Sequence, residues 1–192
     1  PLDGTREYVK GRDEFTVNIG LVVDHQPYVG VVYAPVMDDL FYGDPRGALR
    51  MTADSSVAME RPPMMDRSVG GLRLITSRRE ADHLPLKQWL ESGQISSWRI
   101  CASAYKYGLL AAGGHDLFVR TTTTYEWDTA AGDAILRAVG GKTVTPDGAL
   151  LKYGKPEFRN GIMMAYNRNA ANSLFVLELA QRLQAKMNEI QA

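Results

Sequence analysis

Two acidic stretches far apart in the chain have residue types that could do chemistry. The first is Asp3-Gly4-Thr5, a carboxylate, a residue without a side chain and a hydroxyl in succession. Asp offers a hard oxygen to a cation such as Mg²⁺. Gly lets the backbone approach a ligand, and successive N–H groups in a turn nest an anion. The second stretch runs from Glu126 to Gly141, E-W-D-T-A-A-G-D-A-I-L-R-A-V-G-G. Asp128 stands where a helix should begin. Ala131, Ile135, Leu136 and Val139 follow at helical spacing, and Gly140-Gly141 stops the helix. Each stretch also has a plain structural reading. Asp-Gly is a common turn dipeptide, and Asp is a favoured N-cap. The chemical reading makes Asp128 a metal ligand beside the free N–H groups of a helix start, where phosphate also sits well. Both can hold at once, because a carboxylate can take a backbone N–H on one oxygen and a cation on the other.

The elements that must position these residues change character along the chain. Residues 1–14 read as polar and turn-like. Phe15 to Val23 alternates as a strand, Asp24 to Pro27 turns, and Tyr28 to Tyr33 forms a second strand. Leu40-Phe41-Tyr42 and Ala48 to Thr52 continue an antiparallel meander. Residues 53–68 read as a break, with Ala53-Asp54-Ser55-Ser56 and then Arg61-Pro62-Pro63 as a linker. Beyond it strands and helices alternate. Strands are expected at Leu72–Thr76, Trp98–Ala102, Asp116–Arg120, Lys142–Thr145 and Ile162–Ala165. Helices are expected over Leu86–Leu90, after a Ser103 cap, and over Asn172–Ile190. The pattern predicts an α/β (α+β) fold in two parts, residues 1–68 and 69–192.

The bulk numbers exclude several classes. The 192 residues suffice for one sizeable core or two small lobes. Lys plus Arg and Asp plus Glu both number 22, so the chain lacks the basic surplus of a general nucleic-acid binder. Cys101 is the only cysteine, which rules out an internal disulfide and fits a reducing cytoplasm. No run approaches the ~18 apolar residues of a membrane span, and no signal peptide is visible. Peripheral association at the inner membrane is left open. His25, His83 and His115 have no ligand spacing, so zinc is not expected.

Taken together, P-L-D-G-T-R-E-Y and E-W-D-T-A-A-G-D resemble the two motifs of the inositol monophosphatase superfamily, D-P-I/L-D-G-T and W-D-x-A-A-G. Their order and separation match, as does the strand F-T-V-N-I-G-L-V-V after the first motif. D-G-T-R-E-Y is similar to the D-G-T-R-E-F of the CysQ-type 3'(2'),5'-bisphosphate nucleotidase branch, where inositol phosphatases usually read D-G-T-T-N-F. Cys101 to Tyr107, C-A-S-A-Y-K-Y, is similar to that branch's G-S-S-L-K-F/Y segment, and Arg120 stands at its second phosphate-binding Arg. Ala102 and Ala104 depart from the usual Gly and Ser, and Tyr125 stands where Met is common. These departures touch the exact substrate more than the metal chemistry.

The resemblance implies a layered α-β-α-β-α sandwich and Mg²⁺-dependent hydrolysis of a phosphate monoester, with 3'-phosphoadenosine 5'-phosphate as substrate and AMP as product. It implies two or three Mg²⁺ ions, inhibition by lithium, and metal ligands Asp3, Asp128 and the Leu2 carbonyl. Thr5 would orient the attacking water. Gly4 and Thr5 would cradle the phosphate, and Ser103, Lys106 and Arg120 would contact the rest of the substrate, the two cations through charge-assisted bonds. It further implies a motif Asp just before Pro1 and a metal-binding Glu further upstream. Dimers are common among similar proteins, so a homodimer is in view. An inositol or sugar phosphate phosphatase is the alternative, although Thr121 to Thr124 lack the acid of inositol-specific members. A reading of another class is an inactive fragment or pseudo-enzyme kept for binding or assembly. On their own, Ser103 reads equally as an N-cap, Lys106 and Arg120 as surface charges, Trp127 as core packing, Cys101 as a buried small residue, and Arg78-Arg79 as a solvated pair.

Overall fold

The computed structural model describes residues 2–60 and 70–191. β1 (Leu2–Asp3) leads into α1 (Thr5–Val9). A meander follows: β2 (Thr16–Val23), β3 (Gln26–Ala34), β4 (Asp39–Asp44), β5 (Gly47–Thr52) and β6 (Ser55–Met59). With β1 at its edge it forms a six-stranded antiparallel sheet in chain order. The second half gives β7 (Leu72–Thr76), α2 (Arg78–Ala81), α3 (Leu86–Glu91), β8 (Ile95–Ile100), α4 (Tyr105–Ala111) and β9 (Leu117–Arg120). It continues with β10 (Thr124–Tyr125), α5 (Ala130–Ala138), β11 (Lys142–Val144), β12 (Arg159–Asn160), β13 (Met163–Tyr166) and α6 (Leu174–Gln191). The second sheet runs β11-β13-β9-β7-β8, with β7 parallel to both β8 and β9.

Alternation along the second sheet decides the layers. Ile75, Phe118, Met163 and Ala165 face a core shared with α4, α5 and the first sheet. Their neighbours Leu74, Leu117, Val119 and Met164 face a second core with α3 and α6. The described residues therefore stack as sheet, helices, sheet, helices, the layered α/β architecture that the sequence predicts. Both methionines 163 and 164 are core, one on each face. Among the described residues no helix is long and apolar enough to cross a membrane.

Some local expectations are corrected. Ser55 and Ser56, read as part of a break, begin β6 and pair with Thr52 and Met51. Arg61-Pro62-Pro63 lies outside the described residues. The first hairpin turn is only Asp24-His25, both at positive φ (48° and 62°), so Gln26 and Pro27 already belong to a strand. Two residues of this hand match the twist of paired strands.

The helix that carries Asp128 in is seated by glycine. Gly20, Gly30 and Gly43 lie opposite one another on β2, β3 and β4. A Cβ on Gly30 would fall 2.0 Å from the Ala131 carbonyl oxygen, and one on Gly43 would fall 2.6 Å from Ile135 Cα. The helix backbone thus lies directly on the sheet backbone. Its rotation is fixed by Asp133, fully buried, which pairs with Arg137 at 2.8 Å and accepts the Tyr153 hydroxyl at 3.0 Å. Arg137 also donates to the Leu151 carbonyl (2.8 Å) and to Gln26. Gly30→Ala should therefore cost about 1–3 kcal/mol or more in urea denaturation. Gly161→Ala, whose Cβ would meet nothing within 4 Å, should stay within about 0.5 kcal/mol of the parent.

Candidate active site

The two acidic stretches, 125 residues apart, meet at one cavity of about 610 Å³ between the sheets. Asp3, Gly4, Thr5 and Asp128 line it, and so do Ser103, Lys106 and Arg120. Leu2 precedes Asp3 in β1 and pairs with Val17. Its side chain points to solvent and does not line the cavity.

Each residue is held by a specific local structure. Gly4 is the N-cap of α1 at φ 86°, and a Cβ there would also press on the Glu14 carbonyl oxygen at 3.1 Å. Only a residue without a side chain turns the chain from β1 into α1 at this point. Asp3 accepts hydrogen bonds from the Ala104 N–H at 2.6 Å and from the Asn18 amide at 3.3 Å. Asp128 departs from the expected role as cap of the long helix. It ends a 3-10 turn, Glu126–Asp128, and α5 begins after Thr129 without a side-chain cap. Its carboxylate folds back to accept the Thr124 hydroxyl (2.6 Å) and the Tyr125 N–H (3.1 Å), closing a capping box on that short turn. The turn is pinned from behind by Glu126, which accepts the Gly154 and Lys155 N–H groups at 2.6 and 3.0 Å.

Both candidate ligands share one feature. Their hydrogen bonds among the described residues all fall on Oδ2, which leaves Oδ1 of each without a protein donor. Burial raises the Asp3 pKa above its ordinary value. Lys106 opposes that shift, Asp128 adds to it by like charge, and the Ala104 bond opposes it again. Two partly desolvated carboxylates of like charge, each with a spare hard oxygen, suit a divalent cation. They form only part of a coordination shell, since no group of three or more His, Cys, Asp or Glu converges among the described residues.

Lys106 is no surface charge. It is 6% exposed, donates to the Ser103 carbonyl and lies 5.1 Å over the Phe118 ring. Burial lowers its pKa, with Cys101 and Asp3 opposing. Arg120 is half-buried, donates to the Thr122 carbonyl at 3.2 Å and faces Glu80 at 3.6 Å. Ser103, expected as an N-cap, is instead a left-handed residue (φ 52°) one place before the cap Ala104. Its hydroxyl accepts the Tyr105 N–H at 3.4 Å. Trp127, expected in the core, is 55% exposed and stacks on Tyr125 at 4.6 Å. Arg78 and Arg79, read as a solvated pair, both line the cavity.

Two acids escaped the sequence reading. Glu14 lines the cavity and accepts the Ala102 N–H at 3.0 Å, which ties the first sheet's leading loop to the Ser103 segment. Glu80 is fully buried beneath Arg120. Ser77-Arg78-Arg79-Glu80 has the spacing of a capping box, a signal that could have placed α2. Ser77 does take the Glu80 N–H at 3.2 Å, but the Glu80 carboxylate turns away to Thr121 and Thr122.

By fold and pocket the chain is a layered α/β protein whose cleft pairs hard carboxylate oxygens with a cationic wall, a chemistry suited to a metal ion and a small anion. It belongs to the inositol monophosphatase family, whose family model matches residues 1–189. It is 36% identical over 158 residues to the 3'(2'),5'-bisphosphate nucleotidase CysQ of Buchnera aphidicola, covering 80% of this chain and 56% of that protein. Against the protein of the same name from Escherichia coli K12 it is 35% identical over 157 residues, covering 80% and 60%. The crystal structure of CysQ from Bacteroides thetaiotaomicron superposes with a TM-score of 0.74 at 29% identity, covering 88% of this chain and 68% of that one. The chain thus spans less than two thirds of the length of the Buchnera and Escherichia coli proteins.

Cys101 does not line the cavity, although its neighbours Ile100 and Ala102 do. It is fully buried, and burial pushes its thiol up to about 11, with Lys106 opposing. Thiolate is the reactive form, and burial keeps it scarce at pH 8. Iodoacetamide should leave Cys101 unmodified in the native protein at that pH and label it fully after denaturation.

Proposed function

We propose that the protein catalyses Mg²⁺-dependent hydrolysis of a phosphate monoester, with 3'-phosphoadenosine 5'-phosphate as substrate and AMP as product. One observation carries the reading. Asp3 and Asp128, each with one oxygen committed to the protein and one spare, face the same cavity as Lys106 and Arg120. The names of the CysQ relatives support the nucleotide over the inositol reading.

On this proposal Asp3, Asp128 and the Leu2 carbonyl hold two or three Mg²⁺ ions, together with acids from outside the described residues. When bound, the metal supplies a water of lowered pKa and neutralises phosphate charge. Gly4 and Thr5, on the cavity wall at the start of α1, offer backbone N–H groups to the phosphate oxygens. The Thr5 hydroxyl orients the attacking water, which is the nucleophile, so no covalent enzyme intermediate forms. Ser103, Lys106 and Arg120 receive the second phosphate and the nucleoside. Burial makes the Lys106 ammonium more easily discharged than an exposed one. The proposal includes two lobes, residues 1–68 and 69–192, with the cleft between them. It also includes inhibition by lithium, a cytoplasmic setting, a homodimer, and a small phosphorylated substrate in place of nucleic acid.

With Mg²⁺ the protein should hydrolyse 3'-phosphoadenosine 5'-phosphate at a higher kcat/KM than inositol 1-phosphate, and chelation with EDTA should abolish both activities. A preference for inositol 1-phosphate would overturn the substrate assignment. Asp128→Asn keeps an oxygen for the Thr124 hydroxyl and the Tyr125 N–H, so its melting temperature should stay near that of the parent. Its kcat should fall by about 10²-fold or more, because a metal ligand is lost. Retained turnover would return Asp128 to a purely structural role.

A further inference from the structure

Helix α2 is four residues long, yet a fully buried carboxylate holds it in place. Glu80 accepts the backbone N–H groups of Thr121 (2.8 Å) and Thr122 (3.2 Å), together with both their hydroxyls, that of Thr121 at 2.6 Å. Arg120 stands 3.6 Å away. Burial alone would raise the Glu80 pKa, but the threonine bonds and Arg120 outweigh it, and the group lies below its ordinary value. A carboxylate is buried at high cost unless donors replace water, and here they do. One turn of helix has little stability of its own. The anchor fixes its backbone, and with it the two residues just before Glu80, Arg78 and Arg79.

Both arginines are exposed and line the cavity, and so do Arg6 and Lys10 from the α1 side. None of these four cations has an ion-pair partner among the described residues. The other cations of the cavity are engaged: Arg12 with Glu7 at 2.8 Å, Arg120 with Glu80, and Lys106 with the Ser103 carbonyl and the Phe118 ring. On the α2 wall Asp82 is the opposing acid. In a chain of zero net charge, unpaired positive charge is thus gathered where α1 and α2 border the cleft. Cations lining a concave surface focus the field on an anionic ligand.

We propose that Arg78 and Arg79, on the α2 wall beside Arg120, form an anion subsite that takes a further phosphoryl group of the ligand. The inference rests on the phosphate-monoester reading and extends its ligand class to adenosine 3'-phosphates that carry a diphosphate at the 5' position. The cavity, about 610 Å³, has the volume of a small-molecule site. Lys106 and Arg120 receive the inner 5'-phosphoryl group, and the arginines of α2 receive the outer one through charge-assisted bonds.

The test is calorimetric titration with EDTA present, so that no turnover occurs. The ligands are 3'-phosphoadenosine 5'-diphosphate, 3'-phosphoadenosine 5'-phosphate and inorganic tripolyphosphate. The parent should bind the diphosphate more tightly than the monophosphate. In the Arg78→Ala/Arg79→Ala double variant that ratio should fall by about tenfold. The Arg78→Lys/Arg79→Lys variant keeps the charges and should retain most of the preference. An equal ratio in parent and alanine variant overturns the subsite, even if both nucleotides are hydrolysed with Mg²⁺. If neither nucleotide is hydrolysed but tripolyphosphate binds the parent and is weakened in the alanine variant, the subsite stands and the phosphatase reading fails.

Discussion

The structure depends on the contact of one helix with one sheet at backbone distance. Helices normally rest on sheets through side chains, and volume changes there are absorbed by repacking. Along β2, β3 and β4 the side chains are missing, and α5 sinks into the row of glycines. Its other face is as close. Gly132 lies against Tyr107 of α4, and Gly108 of α4 lies against Phe41 of β4. Glycine in helices and strands lowers local stability, so these positions give up propensity for proximity. In return the chain joins both sheets and the middle helices into one shared core, with Val32, Phe41, Tyr107, Ile135 and Phe118 as members. The buried Asp133–Arg137 pair is no large stabiliser in itself, since desolvation offsets attraction. It sets the angle at which α5 sits and therefore where Asp128 emerges.

With the helix fixed, the loops around the cavity are organised by carboxylates that accept backbone N–H groups. Asp3 takes Ala104, Glu14 takes Ala102, Glu80 takes Thr121 and Thr122, and Glu126 takes Gly154 and Lys155. Each bond joins segments far apart in the chain. Loops cannot pair their own N–H groups as strands do, and a buried unpaired N–H is costly. Acids from neighbouring elements supply the acceptors, and two of them, Asp3 and Glu14, also line the cavity.

The sequence made the meander, the later strands and helices, and the acid pair legible for physical reasons. Alternation in Phe15–Val23 and helical spacing in the Asp128 stretch are local signals, and the residues expected at the site, Leu2 apart, gather at one cavity. What was illegible depended on partners distant in sequence. Asp128 reads locally as the cap of α5, but Thr124 and the Tyr125 N–H claim it for the turn before. Ser103 reads as a cap until the Lys106 ammonium takes its carbonyl and the residue adopts positive φ. Trp127 reads as core by composition, yet it stacks on Tyr125 in the open. Glu80 gave a helix-start spacing whose carboxylate went elsewhere, because two threonines 41 and 42 residues away offered more donors than its own helix.

Asp3 shows why fold and site cannot be varied independently here. Through Oδ2 it fixes the Ala104 N–H, and so the segment from which Ser103 and Lys106 reach the cavity. Lys106 in turn holds the Ser103 carbonyl and opposes the rise in the Asp3 pKa. Asp3 and Lys106, both on the cavity wall, are thus two ends of one hydrogen-bonded unit, four residues long on one side and tied to β1 on the other. Groups that share partners in this way couple, so the effects of changing them do not add. Loss of Asp3 would remove a carboxylate from the cavity and also release the segment that carries Lys106, and the double change should cost less than the sum of the two single ones. The arrangement gives the cleft a built-in order. Lys106 is in register with Asp3 because that carboxylate holds the segment from which it reaches the cavity.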